Sequence, residues 1–174
     1  IMRASGRPLS VIITQRHRDP EGWRDMLAGL EAANAEGLEM RAQVAPRSIG
    51  SMYGLSLSQH AFYLHPSFKE IADKPLAEKV AIMRDPAFRA KLLAEGPVHR
   101  SQRMMERTTN FDFTFALGYP PDYEPPEARS IRNLAAQAGR DPMEFMYDLL
   151  LENDGKNFLF SPNTNYAGYN LDAS

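Results

Sequence analysis

The sequence has no cysteine, no long hydrophobic run and no large excess of charge of either sign. Without cysteine, the chain can form neither a disulfide framework nor a thiolate metal site, which is compatible with the reducing cytoplasm that we predict as its location. No apolar stretch reaches the roughly 18 residues of a membrane-spanning helix, and the first residues show no signal-peptide pattern. The 20 basic and 22 acidic residues give a formal net charge of -2. Nucleic-acid-binding domains and membrane-binding polybasic patches have a basic excess, so we expect neither partner.

The first 45 residues predict a strand, a helix and a second strand. Leu9 to Thr14 is a short apolar, β-branched run typical of a buried strand. Asp19-Pro20 offers an N-cap and a first-turn proline, and apolar residues at helical spacing continue towards Gly37. Leu38 to Ala45 alternates apolar and polar residues, which predicts a second strand. Short connections between these elements predict a βαβ unit, in which the two strands are parallel.

Beyond Pro46 the pattern is mixed. Residues 46–66 hold three aromatic residues and two histidines without a clear period, and we expect a long structured loop because they are too apolar for disorder. Ser67 and Glu70 predict a capping box. Further helices are expected over Pro75 to Met83 and from Asp85-Pro86.

The last third of the chain predicts one strand, two helices and a final short strand. Alternating phenylalanines predict a strand over Asn110 to Leu117. A helix is expected over residues 127–138, and a second helix is expected to begin after Asp141 as its N-cap. Phe158 to Phe160 is the last strand candidate. The order of elements indicates an α/β fold, with too few strands to close a (β/α)₈ barrel of about 250 residues.

Several stretches together resemble the D-aminoacylase (N-acyl-D-amino-acid deacylase) branch of the amidohydrolase superfamily. No single stretch is a catalytic signature, but their order and spacing cover nearly the whole chain: Leu30–Leu38, Ser56–Ala72, Pro75–Pro86, Gly139–Leu150 and Asn165–Asp172. The resemblance implies a partial (β/α)₈ metal-dependent-hydrolase barrel with a helical lid insertion. Residues 1–174 would be a fragment of one barrel domain, and residues 46–120 would be the lid-like insertion within it.

The resemblance also implies that this chain is the later part of the barrel. Leu9–Gln15 is similar to the sixth strand of the family and Leu38–Ala45 to the seventh. The family's His-x-His, its metal-bridging residue and its fifth-strand histidine would precede the chain. The aspartate that acts as acid and base would lie beyond Ser174. The chain begins with Ile1 rather than Met, and we expect it to be a fragment that is inactive alone and that self-associates or forms a homo-oligomer.

The activity implied by the resemblance is hydrolysis of the amide bond of N-acyl-D-amino acids or related amides. In the parent protein, zinc would activate a water molecule and an aspartate would transfer the proton. Two alternatives stay open from the residues alone. One is a non-catalytic binding or structural module without metal, and the other is a non-metal enzyme that has lost the sixth-strand histidine.

The metal ligand expected on the sixth strand is missing from its usual position. Where the family has Ser-His, this chain has Thr14-Gln15, and glutamine is a poor zinc ligand beside histidine. His17, two residues further, could take that role if the strand end is shifted. It could equally be a loop histidine among charged neighbours.

Three further residues are candidates for substrate binding. Arg47 follows the predicted seventh strand, on the barrel face where substrates bind, and a guanidinium group there could hold a carboxylate by two hydrogen bonds. A surface arginine is the alternative. His60 and His65 lie in the predicted lid and could contact substrate or only pack. Asp85 and Asp141, like Asp19, precede proline as expected helix caps, which explains them without catalysis.

Overall fold

The computed structural model describes residues 1–173, and the chain divides into two compact units. The first unit consists of Ile1–Gly50 together with Pro162–Ser174, and the second consists of Ser51–Ser161. The second unit is therefore inserted between two segments of the first along the chain. None of the helices formed by residues 1–173 is long and apolar enough to cross a membrane.

The first unit is built on one strand–helix–strand element. A short helix, α1 (Met2–Ser5), precedes β1 (Leu9–Ile12), α2 (Gly22–Ala35) and β2 (Met40–Gln43). The strands β1 and β2 are parallel, with Leu9 opposite Met40 and Ile12 opposite Gln43. The predicted βαβ unit is confirmed. Gly37 follows the helix in the left-handed region with φ of 81°, as the sequence suggested for its C-terminus.

The start of α2 differs from the prediction. The N-cap is Glu21 rather than Asp19, because Asp19 belongs to a tight turn in which its backbone N–H donates to the carbonyl of Arg16. Its carboxylate occupies the space where a side chain at Gly22 would lie. Asp19-Pro20 therefore forms the turn before the helix, and only a glycine allows the helix to begin directly after it.

The second unit is mainly helical. Its helices are α3 (Pro66–Lys69), α4 (Leu76–Met83), α5 (Pro86–Ala94), α6 (Gln102–Thr108), α7 (Ile131–Gln137) and α8 (Pro142–Gly155). Its short strand β4 (Phe115–Ala116) pairs antiparallel with β5 (Leu159–Thr164), and Phe115 lies opposite Phe160. A strand before the helices, β3 (Ile49–Tyr53), completes a sheet of order β3-β5-β4. Both β3 and β5 continue across the boundary between the units along the chain.

The helices and strands of the second unit enclose a hydrophobic core. Its fully buried members come from nearly every element and include Leu55, Phe62, Met83, Leu92, Ile131, Tyr147, Leu150 and Leu159. The hydroxyl of Tyr147 donates to the carbonyl oxygen of Met83 at 2.5 Å. Burial, opposed in part by nearby Arg89, raises the pKa of Tyr147. The tyrosine thus fills the core and stays a hydrogen-bond donor.

Local capping signals are confirmed where the partner is close in sequence. The carboxylate of Asp85 accepts from the backbone of Phe88 at 2.9 Å, and that of Asp141 accepts from Met143 and Glu144. The predicted capping box at Ser67 and Glu70 is wrong, because α3 begins two residues earlier than it requires, with His65 as its N-cap. The side chain of Ser67 instead bonds Glu95.

Three other boundaries depart from the sequence pattern. The predicted loop at 46–66 contains β3, which is held by β5 despite its strand-disfavouring Gly50. Within the predicted strand Asn110–Leu117, only Phe115–Ala116 are a strand, and Phe111–Phe113 form a 3₁₀ turn. The Thr114 hydroxyl donates to the carbonyl of Asn110 across this turn. The helix predicted over 127–138 begins at Ile131, after a 3₁₀ turn. Its N-cap is Ser130, whose hydroxyl oxygen accepts from Asn133.

The observed architecture is mixed α/β, which confirms the fold class at that level. The sheets formed by residues 1–173 have two and three strands and do not close into a barrel.

Candidate functional site

The carboxyl ends of β1 and β2 are joined by a segment from the end of the chain. The backbone N–H of Gln15 donates to the side-chain oxygen of Asn165 at 3.0 Å, and the N–H of Asn165 donates back to the Gln15 carbonyl at 2.9 Å. The Asn165 amide nitrogen donates to the carbonyl of Ala45, just past β2, at 3.2 Å. Asn165 is fully buried and has a φ of 58°, a left-handed conformation that asparagine tolerates better than most residues. One asparagine therefore links both strand ends.

The side chain of Gln15 lies within the same cluster. It is fully buried, and its amide nitrogen donates to the side-chain oxygen of Asn170 at 3.0 Å. Its Oε1 atom has no hydrogen-bond partner among residues 1–173. A buried acceptor left without a donor costs about 1–3 kcal/mol. Gln15 thus holds the C-terminal segment with one atom and leaves a second polar atom unused.

His17 lies next to this cluster, in the turn after β1. Its Nε2 is 2.8 Å from the carbonyl oxygen of Pro162, so this nitrogen carries the hydrogen and donates it. Burial lowers the pKa of His17, and the bond to Pro162 opposes that effect in part. The lowered pKa favours the neutral ring, and Nδ1 is the ring nitrogen that does not bond Pro162. Its role as a zinc ligand stays a prediction.

Arg47 is exposed two residues past Ala45, on the chain that leaves β2. Its position after the carboxyl end of a parallel strand is the one that the sequence predicted. Gln15, His17 and Arg47 are therefore placed in the first unit, whereas the other two candidates, His60 and His65, belong to the second.

His60 is part of the core of the second unit. It is 2% exposed, its Nδ1 accepts from the backbone N–H of Phe62 at 3.2 Å, and its ring meets Phe68 edge-on at 4.2 Å. Burial, together with the charges of Lys79 and His65, lowers its pKa from 6.5 to about 3. His60 is neutral at any physiological pH, and its observed contacts are one backbone hydrogen bond and ring packing within the core. The predicted substrate contact stays a prediction.

His65 is equally buried, at 1% exposure, and packs edge-on against Phe62. Its Nδ1 has no hydrogen-bond partner among the residues that the structure describes. Burial lowers the pKa of His65, although the nearby charge of Glu95 opposes the effect. Its role in substrate binding also stays a prediction.

Glu95 caps the helix that begins after His65. Its carboxylate accepts from the backbone N–H of Ser67 at 2.9 Å and from the Ser67 hydroxyl. Burial alone would raise the pKa of Glu95, but these two hydrogen bonds lower it below its ordinary value. A carboxylate at the first turn of a helix also interacts favourably with the helix dipole. Glu95 therefore anchors α3 from a position 28 residues away.

Sequence reasoning missed Asn165, Asn170 and Glu95 as structural partners of the candidate residues. Asn165 lies in a segment rich in asparagine and tyrosine, and asparagine favours left-handed backbone. No local pattern indicated that this segment would bond β1.

Among residues 1–173, no three His, Cys, Asp or Glu side chains come together as a metal-binding group.

Comparison of the chain with protein-family models, with curated proteins and with solved structures found no match.

Proposed function

We propose that this chain forms the later strands and the lid of a metal-dependent amide hydrolase similar to D-aminoacylase, acting on N-acyl-D-amino acids. The supporting observation is the parallel β1–α2–β2 unit, whose strand ends carry polar residues and are followed by Arg47. In (β/α)₈ barrels and open parallel sheets, ligands bind outside the carboxyl ends of the strands.

The uncovered apolar side chains of the first unit support the same proposal. Ile12 at the end of β1 is 65% exposed and Val44 just after β2 is 42% exposed. Parallel sheets are normally covered on both faces, and two strands alone are marginally stable. A barrel would supply neighbouring strands and helices for these side chains.

Arg47 is the proposed substrate contact of this chain. An exposed guanidinium group after a barrel strand can bind the carboxylate of an acylated amino acid through two parallel hydrogen bonds. The interaction would orient the substrate, so that the acyl carbonyl is presented to the reacting groups. Lysine keeps the charge but cannot form the same two-point contact.

The zinc implied by the resemblance does not fit residues 1–173 alone. The Gln15 amide nitrogen is committed to Asn170 and the His17 Nε2 to Pro162, and these residues form no larger ligand group. We therefore assign no step of the reaction to a metal held by this chain. The proposed contribution of its residues is to bind and orient substrate.

Arg47→Lys in the protein expressed from its full coding sequence tests this assignment. The expected result is a KM for an N-acetyl-D-amino acid raised about tenfold, the range of one charge-assisted hydrogen bond, with little change in kcat. The matched control is Arg41→Lys, an exposed arginine on β2 that pairs with Glu39. Equal KM values for the two variants would contradict the role of Arg47. Absence of any amide hydrolysis by the unmodified protein would contradict the proposed function itself.

A further inference from the structure

A cavity that is open at the surface of the second unit combines apolar and basic side chains. Its volume is about 460 Å³, within the range of small-molecule sites. One wall is formed by apolar residues of α4, namely Leu76, Ala77, Val80 and Ala81. Their spacing of one, three and four residues places them on a single face of the helix, which we call the α4 stripe. This wall offers an apolar surface about one and a half helical turns long.

The cavity is also lined by Asp154 and Lys156, at and just past the irregular end of α8. At Glu152 the backbone leaves the helical conformation, and Asn153 and Asp154 adopt φ values of 49° and 53°. Such left-handed conformations are uncommon in residues other than glycine. The next residue, Gly155, also has a positive φ, and a Cβ atom there would lie only 2.5 Å from a methyl carbon of Val80. The chain is thus held against α4 in a strained form, and it borders the cavity.

The charged residues of the cavity are Arg84, Asp154 and Lys156. Arg84 donates to the carboxylate of Asp154 at 3.2 Å and to the carbonyl of Leu151 at 3.4 Å, which fixes the strained segment. Lys156 is exposed and forms no ion pair with any residue in 1–173. Two cations and one carboxylate leave one net positive charge beside an apolar wall.

We infer that this cavity binds a medium-chain carboxylate, with its alkyl chain along the α4 stripe and its carboxylate at Lys156 and Arg84. The volume suits a chain of moderate length, and the net positive charge complements the anionic head. The inference is independent of the proposed function, because it uses no residue of the first unit.

Octanoate is the probe, and ¹H–¹⁵N chemical shifts of the whole chain are the measurement. Titration to about 10 mM, a range that detects millimolar affinity, is expected to shift the amides of Ala77, Ala81 and Lys156. Octan-1-ol, which has the chain without the charge, is expected to bind several times more weakly. Equal affinity for the two ligands, or no shift at these amides, would overturn the assignment.

Two matched pairs of variants locate the site. Ala81→Trp fills the cavity from an exposed helix position and is expected to abolish octanoate binding, whereas Ala94→Trp, at an exposed position of α5 outside the cavity, is expected to leave it intact. Lys156→Gln is expected to weaken binding threefold to fivefold, about the value of one exposed ion pair. Lys91→Gln, whose partner Glu70 is outside the cavity, is the charge control. Loss of binding in both members of either pair, with melting curves unchanged, would contradict the proposed position.

Discussion

The two units differ in how they are stabilised. The second unit has a continuous core of fully buried residues drawn from helices α3, α4, α5, α7 and α8. The first unit has an α2 helix without a single buried residue, and six large apolar side chains of this unit are exposed, namely Ile1, Ile12, Met26, Leu27, Val44 and Ile49. Hydrophobic burial can therefore account for the second unit, whereas the first depends more on hydrogen bonds at its strand ends.

The largest expected effect is a core truncation in the second unit. Leu150 is fully buried, so Leu150→Ala is expected to lower the free energy of unfolding by about 2–5 kcal/mol. The matched change in the first unit is Leu27→Ala, at a position that is 37% exposed, and it is expected to cost less than about 1 kcal/mol. Urea unfolding followed by circular dichroism gives both values. Similar losses for the two variants would remove the contrast between the units.

The next prediction concerns the pH dependence contributed by His60. Its pKa is about 3 in the folded chain and near 6.5 when unfolded, so the unfolded state binds the extra proton first. Stability is then lost as pH falls from about 6.5 to about 3, on the order of 1 kcal/mol per pH unit. His60→Asn retains an acceptor for Phe62 but does not titrate. Its free energy of unfolding is expected to depend less on pH, and an unchanged slope would show that His60 is not a buried neutral histidine.

Removal of the link between the strand ends affects the first unit more moderately. Asn165→Ala deletes the acceptor of the Gln15 N–H and the donor to Ala45, with an expected cost of about 1–3 kcal/mol. Hydrogen exchange is expected to become faster at the Gln15 amide. Asn165→Asp retains the acceptor and is expected to keep that amide protected. If both variants exchange as the unmodified chain does, the Asn165 link does not stabilise the strand ends.

The smallest effect is expected at the cap of α3. The pKa of Glu95 is lowered in the folded chain. The cap therefore stabilises the fold fully at pH values above the ordinary glutamate pKa of about 4.5, and this stability is lost as pH falls through the folded pKa. Glu95→Gln is expected to melt at a lower temperature than the unmodified chain at pH 7, and the difference is expected to shrink as pH falls through the folded pKa of Glu95. In a Ser67→Ala background the substitution is expected to matter less. Additive effects of the two changes would contradict the direct bond.

The sequence allowed prediction of features that depend on neighbours in the chain. The caps at Asp85 and Asp141 bond amides within three residues, and the β1–α2–β2 unit follows from periodicity and short connections. The partners of Gln15 and Ser67 are 150 and 28 residues away. No local pattern specifies such pairs, because they form only when distant segments meet.

In the candidate site, too, features that depend on chain neighbours were predictable and features that depend on distant segments were not. Positions after the carboxyl ends of β1 and β2 were predictable from the strands, and Gln15 and Arg47 are found there. The burial of His60 and His65 was not predictable, because their i, i+5 spacing defines no helix face, and both belong to a segment whose strand depends on pairing with β5.

The most direct test of the proposed function is amide hydrolysis by the protein expressed from its full coding sequence, measured with N-acetyl-D-methionine and N-acetyl-L-methionine before and after metal chelation. The account predicts hydrolysis that prefers the D substrate, that chelation abolishes and that added zinc restores. No hydrolysis of either substrate by zinc-loaded, folded protein would contradict the account and favour a non-catalytic role. Hydrolysis that chelation leaves unchanged would favour an enzyme without a metal.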